Sequence, residues 1–92
     1  MVVGVLKMDL YLPDSGSLKS KRFVVKSLKD RLRNKFNVSV AEDGNDLWQR
    51  ASLYCACISN DVKQIHITLE SVKNLTEKQP MAELLDYSVE IN

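Results

Sequence analysis

The chain has 92 residues, with 13 Lys and Arg against 12 Asp and Glu, and 45% of its residues are hydrophobic. This length predicts a single domain over residues 1–92, and the composition is typical of a globular protein rather than a disordered one. The longest apolar run, MVVGVL, is too short to cross a bilayer and lacks the basic flank and cleavage site of a signal peptide. We therefore expect a cytoplasmic protein without a membrane partner.

The net charge of +1 hides a strong segregation of charge along the chain. Residues 18–36 carry eight Lys and Arg and a single acid, Asp30, whereas residues 37–92 carry four bases and nine acids. Local charge is therefore a better guide to binding partners than the overall isoelectric point. The basic segment favours a polyanionic partner.

The first elements in chain order are a strand, a turn and a long helix. Residues 2–12 carry apolar side chains at most even positions, as in a half-buried strand. PDSG (13–16) is typical of a turn, and Ser17 can then act as the N-cap of a helix. The apolar face of that helix has spacings of 7, 3, 4 and 4 and consists of Leu18, Val25, Leu28, Leu32 and Phe36.

The rest of the chain predicts a hairpin, a second helix and a last strand. NVSVAED (37–43) and QRASLYCACIS (49–59) are typical of strands joined by a loop with Gly44 and Asn45. A helix is expected from about Asp61 until near Pro80. Its predicted buried stripe is Val62, Ile65, Leu69 and Val72. In the last strand, ELLDYSVEI (83–91), the residues predicted to share one apolar side are Leu85, Tyr87, Val89 and Ile91.

The element order β-α-β-β-α-β predicts a ferredoxin-like sandwich of the α+β class. Because crossover connections are right-handed, both helices must cover the same face of a four-stranded antiparallel sheet. The expected spatial order of the strands is 4-1-3-2. One face of the sheet then packs against the helices, and the other is open to solvent or to a partner.

Five segments of the chain resemble the YlxP-like family, small bacterial proteins of uncharacterised function. They are GVLKMDLYLP, SLKSKRFVVKSLKDRLRNKFNVSVAE, DLWQRASL, SND and AELLDYSVEI, which together cover nearly the whole chain in order. The resemblance implies a ferredoxin-like fold. It also implies a role near the ribosome, because genes of this family commonly lie beside those for a translation initiation factor and ribosome-binding factor A. The resemblance supplies no catalytic residues.

Five cations of the first helix are spaced by 3, 4, 3 and 4 residues, so they share one stripe beside the apolar face. At 1.5 Å per residue the stripe is about 21 Å long, which suits a phosphate backbone. The alternative is a solvated helix face that promotes solubility, although a fold alone would more cheaply intersperse Glu. The predicted nucleic-acid-binding residues are Lys19, Arg22, Lys26, Lys29 and Arg33.

Lys21 differs from the other cations because it shares the angular position of the apolar face. Its stem is expected to lie across apolar surface, with the ammonium emerging near the PDSG turn. The alternative is an anion cradle, in which Lys21, Ser17 and Ser20 hold one phosphate at the helix N-terminus. No glycine-rich phosphate loop accompanies these residues.

The open face of the sheet is predicted to carry aliphatic and aromatic side chains. A homodimer through this face explains them most simply, and plain exposure is the second interpretation. Base stacking is the third, and it is disfavoured because RASLYCAC lacks the glycine of an RNA-recognition motif and because Asp9, Asp86 and Glu90 would repel phosphates. The candidate interface residues are Val3, Val5, Tyr11, Tyr54 and Ile58.

The sequence nominates no metal site, cofactor or catalytic residue. Cys55 and Cys57 lie two residues apart on one strand, too far for an unstrained disulfide, and are expected to be buried thiols. His66 is the only histidine and has no partner that the sequence can name. Three acids near the hairpin are interpreted as solvated turn residues rather than as a cation site, and they are Glu42, Asp43 and Asp46.

These features predict a non-catalytic module that associates with RNA or a ribosomal subunit through the basic side of the first helix. The alternative is a protein-interaction module that self-associates through the open sheet face. A third hypothesis, an acylphosphatase-like hydrolase, depends on fold analogy, since Arg22 lies beyond the loop that would hold the anion. No small-molecule substrate is predicted.

Overall fold

The computed structural model describes residues 1–92 and contains four strands and two helices. All neighbouring strands are antiparallel, and their order in the sheet is β2-β3-β1-β4. The predicted ferredoxin-like β-α-β-β-α-β architecture with strand order 4-1-3-2 is therefore confirmed. In chain order the elements are β1 (Val2–Tyr11), α1 (Leu18–Lys35), β2 (Ser39–Asp43), β3 (Arg50–Ser59), α2 (Val62–Lys78) and β4 (Glu83–Ile91).

The two central strands, β1 and β3, place one side of the sheet in the core and the other in solvent. Met8 lies opposite Leu53 on the side that faces the helices, and the next pair, Lys7 and Tyr54, lies on the open side. This alternation follows from the period of two in a strand. The buried side chains of the two strands include Leu6, Met8, Leu10, Ala51, Leu53 and Cys55.

Both helices begin at a side chain that satisfies a backbone donor. The Ser17 hydroxyl accepts a hydrogen bond from the Ser20 amide at 3.1 Å, and the Asp61 carboxylate accepts one from the Lys63 amide at 2.9 Å. The helices bury Lys21, Val25, Leu28 and Leu32 from α1 and Ile65, Leu69, Val72 and Thr76 from α2. Neither helix combines the length and the hydropathy needed to cross a bilayer.

The prediction that Val62 belongs to the buried stripe of α2 is wrong. Val62 is exposed, because it occupies the first turn of α2 at the margin of the stripe centred on Ile65 and Leu69. Thr76 takes the fourth buried position instead, and its hydroxyl donates a hydrogen bond to the Val72 carbonyl at 2.9 Å. That bond removes the cost of burying an unpaired hydroxyl.

The last strand, β4, departs from its predicted alternation at one point. Its register against β1 shifts between Asp9, which pairs with Asp86, and Leu10, which pairs with Leu84. Leu85 is the extra residue of this bulge and is exposed, whereas Leu84 packs against the core. The bulge therefore breaks the predicted alternation of β4 at Leu85.

The rest of β4 keeps its predicted side but not full burial. Tyr87 and Val89 lie opposite core residues of β1, yet both remain exposed. The reason is that β4 is an edge strand, which the helices cover only in part. The Lys73 ammonium of α2 lies 4.7 Å from the centre of the Tyr87 ring and occupies part of this margin.

Gly4 allows α2 to approach the central strand closely. A Cβ at this position would overlap Cγ2 of Ile65 and lie 3.1 Å from Cδ1 of Leu69. Ile65 cannot easily yield, because a β-branched side chain in a helix has one strongly preferred rotamer. The contact between α2 and β1 therefore requires glycine here.

We expect Gly4→Ala to destabilise the protein by about 1–3 kcal/mol, as overpacking of a core does. Gly16→Ala is the matched control, since no atom lies within 4 Å of its added methyl, and it should change the free energy of unfolding by less than about 1 kcal/mol. Urea unfolding of the three proteins measures both effects. If Gly4→Ala and the unmodified protein unfolded at the same urea concentration, the close approach of α2 to β1 at Gly4 would be contradicted.

Candidate nucleic-acid interface

The buried face of α1 determines where its cations lie. Val25, Leu28 and Leu32 point into the core. Residues about a quarter of a turn from them lie on the two flanks of the helix, and one of these flanks borders the edge strand β2. Arg33 marks that side, because its Nη2 atom donates a hydrogen bond of 2.8 Å to the Val40 carbonyl of β2. Arg22 also lies on this side, whereas Lys19 lines a recess with Phe23 and Met81. We call the five predicted residues, which helical spacing keeps in one row, the basic stripe: Lys19, Arg22, Lys26, Lys29 and Arg33.

An acid on the same helix pairs with two members of the basic stripe. Asp30 Oδ2 lies 2.8 Å from Lys26 Nζ, and Asp30 Oδ1 lies 3.8 Å from Arg33 Nη1. The hydrogen bond from Lys26 is the main cause that lowers the pKa of the Asp30 carboxyl below 3.8, so the acid is ionised at neutral pH. These ion pairs are exposed, and such pairs are weak and screened by salt.

The other three members of the basic stripe have no acid partner. No carboxylate oxygen lies within 4.0 Å of Lys19, Arg22 or Lys29. Lys19 and Arg22 are exposed and Lys29 is half-buried. The stripe thus offers three cations without an ion-pair partner and two that are paired with Asp30.

The N-terminal end of the basic stripe borders a recess that contains acids. Arg22 lines this recess together with Glu42 and Asp46 of the β2–β3 hairpin. Neither carboxylate comes within 4.0 Å of the guanidinium. The two acids lower the positive potential at this end of the stripe.

The structure does not bring Lys21 together with Ser17 and Ser20. Lys21 is only 2% exposed, and its Nζ atom donates hydrogen bonds to Oδ1 and to the carbonyl oxygen of Asn45, at 2.7 and 3.1 Å. The hydroxyl of Ser17 is engaged by the Ser20 amide. The ammonium thus ends at Asn45 of the β2–β3 hairpin loop, because a buried ammonium needs acceptors and Asn45 supplies two.

The open face of the sheet has an apolar end. Val3 and Ile58 lie opposite each other on β1 and β3, and both are exposed, Ile58 to 60%. Val5 is the next residue of β1 on this face and is half-buried. Tyr11 and Tyr54 are also half-buried and lie farther along the same two strands.

The centre of the open face is polar. The Ser52 hydroxyl donates a hydrogen bond of 2.7 Å to Asp9 Oδ1, and the Lys7 ammonium lies 5.8 Å from the centre of the Tyr54 ring. The strand registers place five acids on this face, namely Asp9, Asp43, Glu83, Asp86 and Glu90. Only two cations, Lys7 and Arg50, accompany them. A phosphate backbone would therefore be repelled here, in contrast to the basic stripe.

Two comparisons with known proteins place the chain in a family. Residues 3–89 match the family model described as "Protein of unknown function (DUF503)". This chain belongs to that family. It is also 37% identical over 83 residues to the "Uncharacterized protein YlxP" of Bacillus subtilis (strain 168), an alignment that covers 89% of this chain and 90% of that protein. The resemblance to the YlxP-like family inferred from the sequence is confirmed.

One exposed aromatic residue in this member of the family escaped the sequence analysis. Phe23 of α1 is 72% exposed and stands between Lys19 and Lys26, four residues after the first and three before the second. The sequence could have revealed its exposure, because Phe23 does not follow the spacing of the apolar face of α1. An exposed ring between two cations can stack on a nucleic-acid base while the cations hold phosphates.

The remaining reactive side chains do not assemble into a site. Cys55 and Cys57 are buried and free, and burial raises the pKa of Cys55 to about 11 and also raises the pKa of Cys57. Such thiols are protonated and unreactive at neutral pH. His66 is exposed on α2, and no group of three or more His, Cys, Asp or Glu is arranged to hold a metal ion.

Proposed function

We propose that the protein is a non-catalytic, cytoplasmic RNA-binding module that associates with the ribosome and holds the RNA backbone along the basic stripe. The observation that carries this proposal is the lack of any acid partner for Lys19, Arg22 and Lys29 on one side of α1. Cations that repel one another in the free protein gain most from phosphates, which also release counterions on binding.

Two further features support RNA as the ligand. Phe23 adds an exposed ring between cations of the stripe, which is the combination used by proteins that bind single-stranded nucleic acid. The gene neighbourhood implied by the YlxP-like resemblance supports ribosomal RNA in particular. The acidic residues of the open sheet face favour α1 over the sheet as the contact surface.

The expected effect of removing the unpaired cations is a selective loss of RNA affinity. We expect the triple variant Lys19→Gln, Arg22→Gln, Lys29→Gln to bind a fluorescent ribosomal RNA fragment at least about tenfold more weakly at low salt. Fluorescence anisotropy measures the affinity. None of these side chains is fully buried or has an ion-pair partner, so the variant should unfold at nearly the same urea concentration as the unmodified protein.

The matched control removes three cations from elsewhere, through Lys7→Gln, Arg50→Gln and Lys63→Gln. It changes the net charge equally but leaves the basic stripe intact, so RNA affinity should stay within about twofold. Equal losses in both triple variants would mean that only net charge matters. A loss confined to the control would place RNA away from the basic stripe, and no binding by the unmodified protein would remove the proposal.

A second candidate function is self-association through the open sheet face, and the exposed pair of Val3 and Ile58 favours it. Apolar side chains adjacent on two strands are typical of a surface that a partner covers. A dimer is then expected in sedimentation at micromolar concentration, and Ile58→Lys should convert it to a monomer. A monomer at every concentration would reject this candidate.

A further inference from the structure

Residues from the C-terminal halves of α1 and α2 line an open cleft. It lies on the side of α1 away from the basic stripe. Its volume is about 530 Å³, within the range of about 300–1,000 Å³ that small-molecule sites occupy. Arg31 and Lys35 of α1 line one wall, and Asn74 and Lys78 of α2 line the other. The cleft is therefore built from residues that the proposed RNA contact does not use.

The cleft concentrates uncompensated positive charge. None of its lining residues is acidic, and no carboxylate lies within 4.0 Å of Arg31, Lys35 or Lys78. Arg31 and Lys35 are four residues apart on α1, a spacing at which like charges destabilise a helix. A bound anion would relieve this repulsion between neighbouring cations.

The helix dipoles explain only part of this cluster. Lys35 and Lys78 lie in the last turns of α1 and α2, where cations complement the negative end of a helix. Arg31 stands one turn earlier, and Arg33 already supplies a second cation to the last turn of α1. Stabilisation of the helix ends therefore gives no reason for Arg31 to face the cleft.

The remaining walls of the cleft provide an apolar surface and a side-chain amide. Phe36 and Leu75 are half-buried and pack against the core while lining the cleft. Asn74 adds an amide that can donate and accept hydrogen bonds. An aromatic ring and an amide suit a nucleobase, and three cations suit the phosphates attached to it.

We propose that this cleft binds a nucleoside phosphate, with the phosphates on Arg31, Lys35 and Lys78 and the base against Phe36. Such a group occurs in a free nucleotide and at the phosphorylated end of an RNA, and the two sources share this chemistry. The site lies on the opposite flank of α1 from the basic stripe. No residue of the basic stripe lines the cleft.

Isothermal titration calorimetry of the full chain at low salt tests the proposal, with ADP, pyrophosphate and adenosine as probes. ADP should bind, pyrophosphate should bind at least about tenfold more weakly because it lacks the base, and adenosine should not bind. The double variant Arg31→Gln, Lys78→Gln should lose at least about tenfold in ADP affinity. Phe36→Leu should weaken ADP binding and leave pyrophosphate binding unchanged.

The control double variant Lys19→Gln, Lys29→Gln removes the same charge from the basic stripe and should keep its affinity for ADP. Absence of heat with millimolar ADP, together with equal binding of 5′-phosphorylated and 5′-hydroxyl oligoribonucleotides, would overturn the proposal. A preference for the 5′-phosphate that Arg31→Gln, Lys78→Gln abolishes would support it and identify an RNA end as the source. Loss of ADP binding in both double variants would also overturn it, since it would show attraction by net charge alone.

Discussion

The rotation of α1 about its own axis is set by the face that it buries, and every other charge on the helix takes its position from that face. Val25, Leu28 and Leu32 form the apolar part, and removing them from water supplies the driving force. Lys21 completes the face with an ammonium that only Asn45 satisfies, so the start of α1 is held against the β2–β3 loop. If α1 were rotated about its axis by the angle of one residue, cations without hydrogen-bond acceptors would be buried.

This fixed rotation gives the molecule two electrostatically different sides. The cations of α1 that have no ion-pair partner lie in the helical layer, either toward β2 or toward α2. On the open face of the sheet, acidic residues outnumber basic ones. Opposite charge on the two faces would orient the protein as it approaches a polyanion, with the helices leading. The nearly neutral total charge conceals this arrangement, and the segregation of charge along the sequence is its origin.

The sequence was sufficient for the architecture because the periods of two and 3.6, the caps and the turn residues all agree. It failed at Leu85, since a bulge leaves no mark in an alternating pattern. Periodicity placed Lys21 on the buried face, but its acceptor, Asn45, lies 24 residues away and is brought near only by folding. The cleft was missed for the same reason, because Arg31 and Lys78 are far apart in the sequence and line one cleft only in the folded chain.

The most direct test of the basic stripe uses the acid that holds two of its members. Binding of ribosomal RNA to the unmodified protein should give a plot of log K against log salt with a slope between about −2 and −3, for phosphate contacts by the three cations that have no ion-pair partner. Asp30→Asn should free Lys26 and Arg33, tighten binding at low salt and make the slope steeper by about 1.5. A slope near zero in the unmodified protein, or one that Asp30→Asn leaves unchanged, would contradict phosphate binding by the stripe.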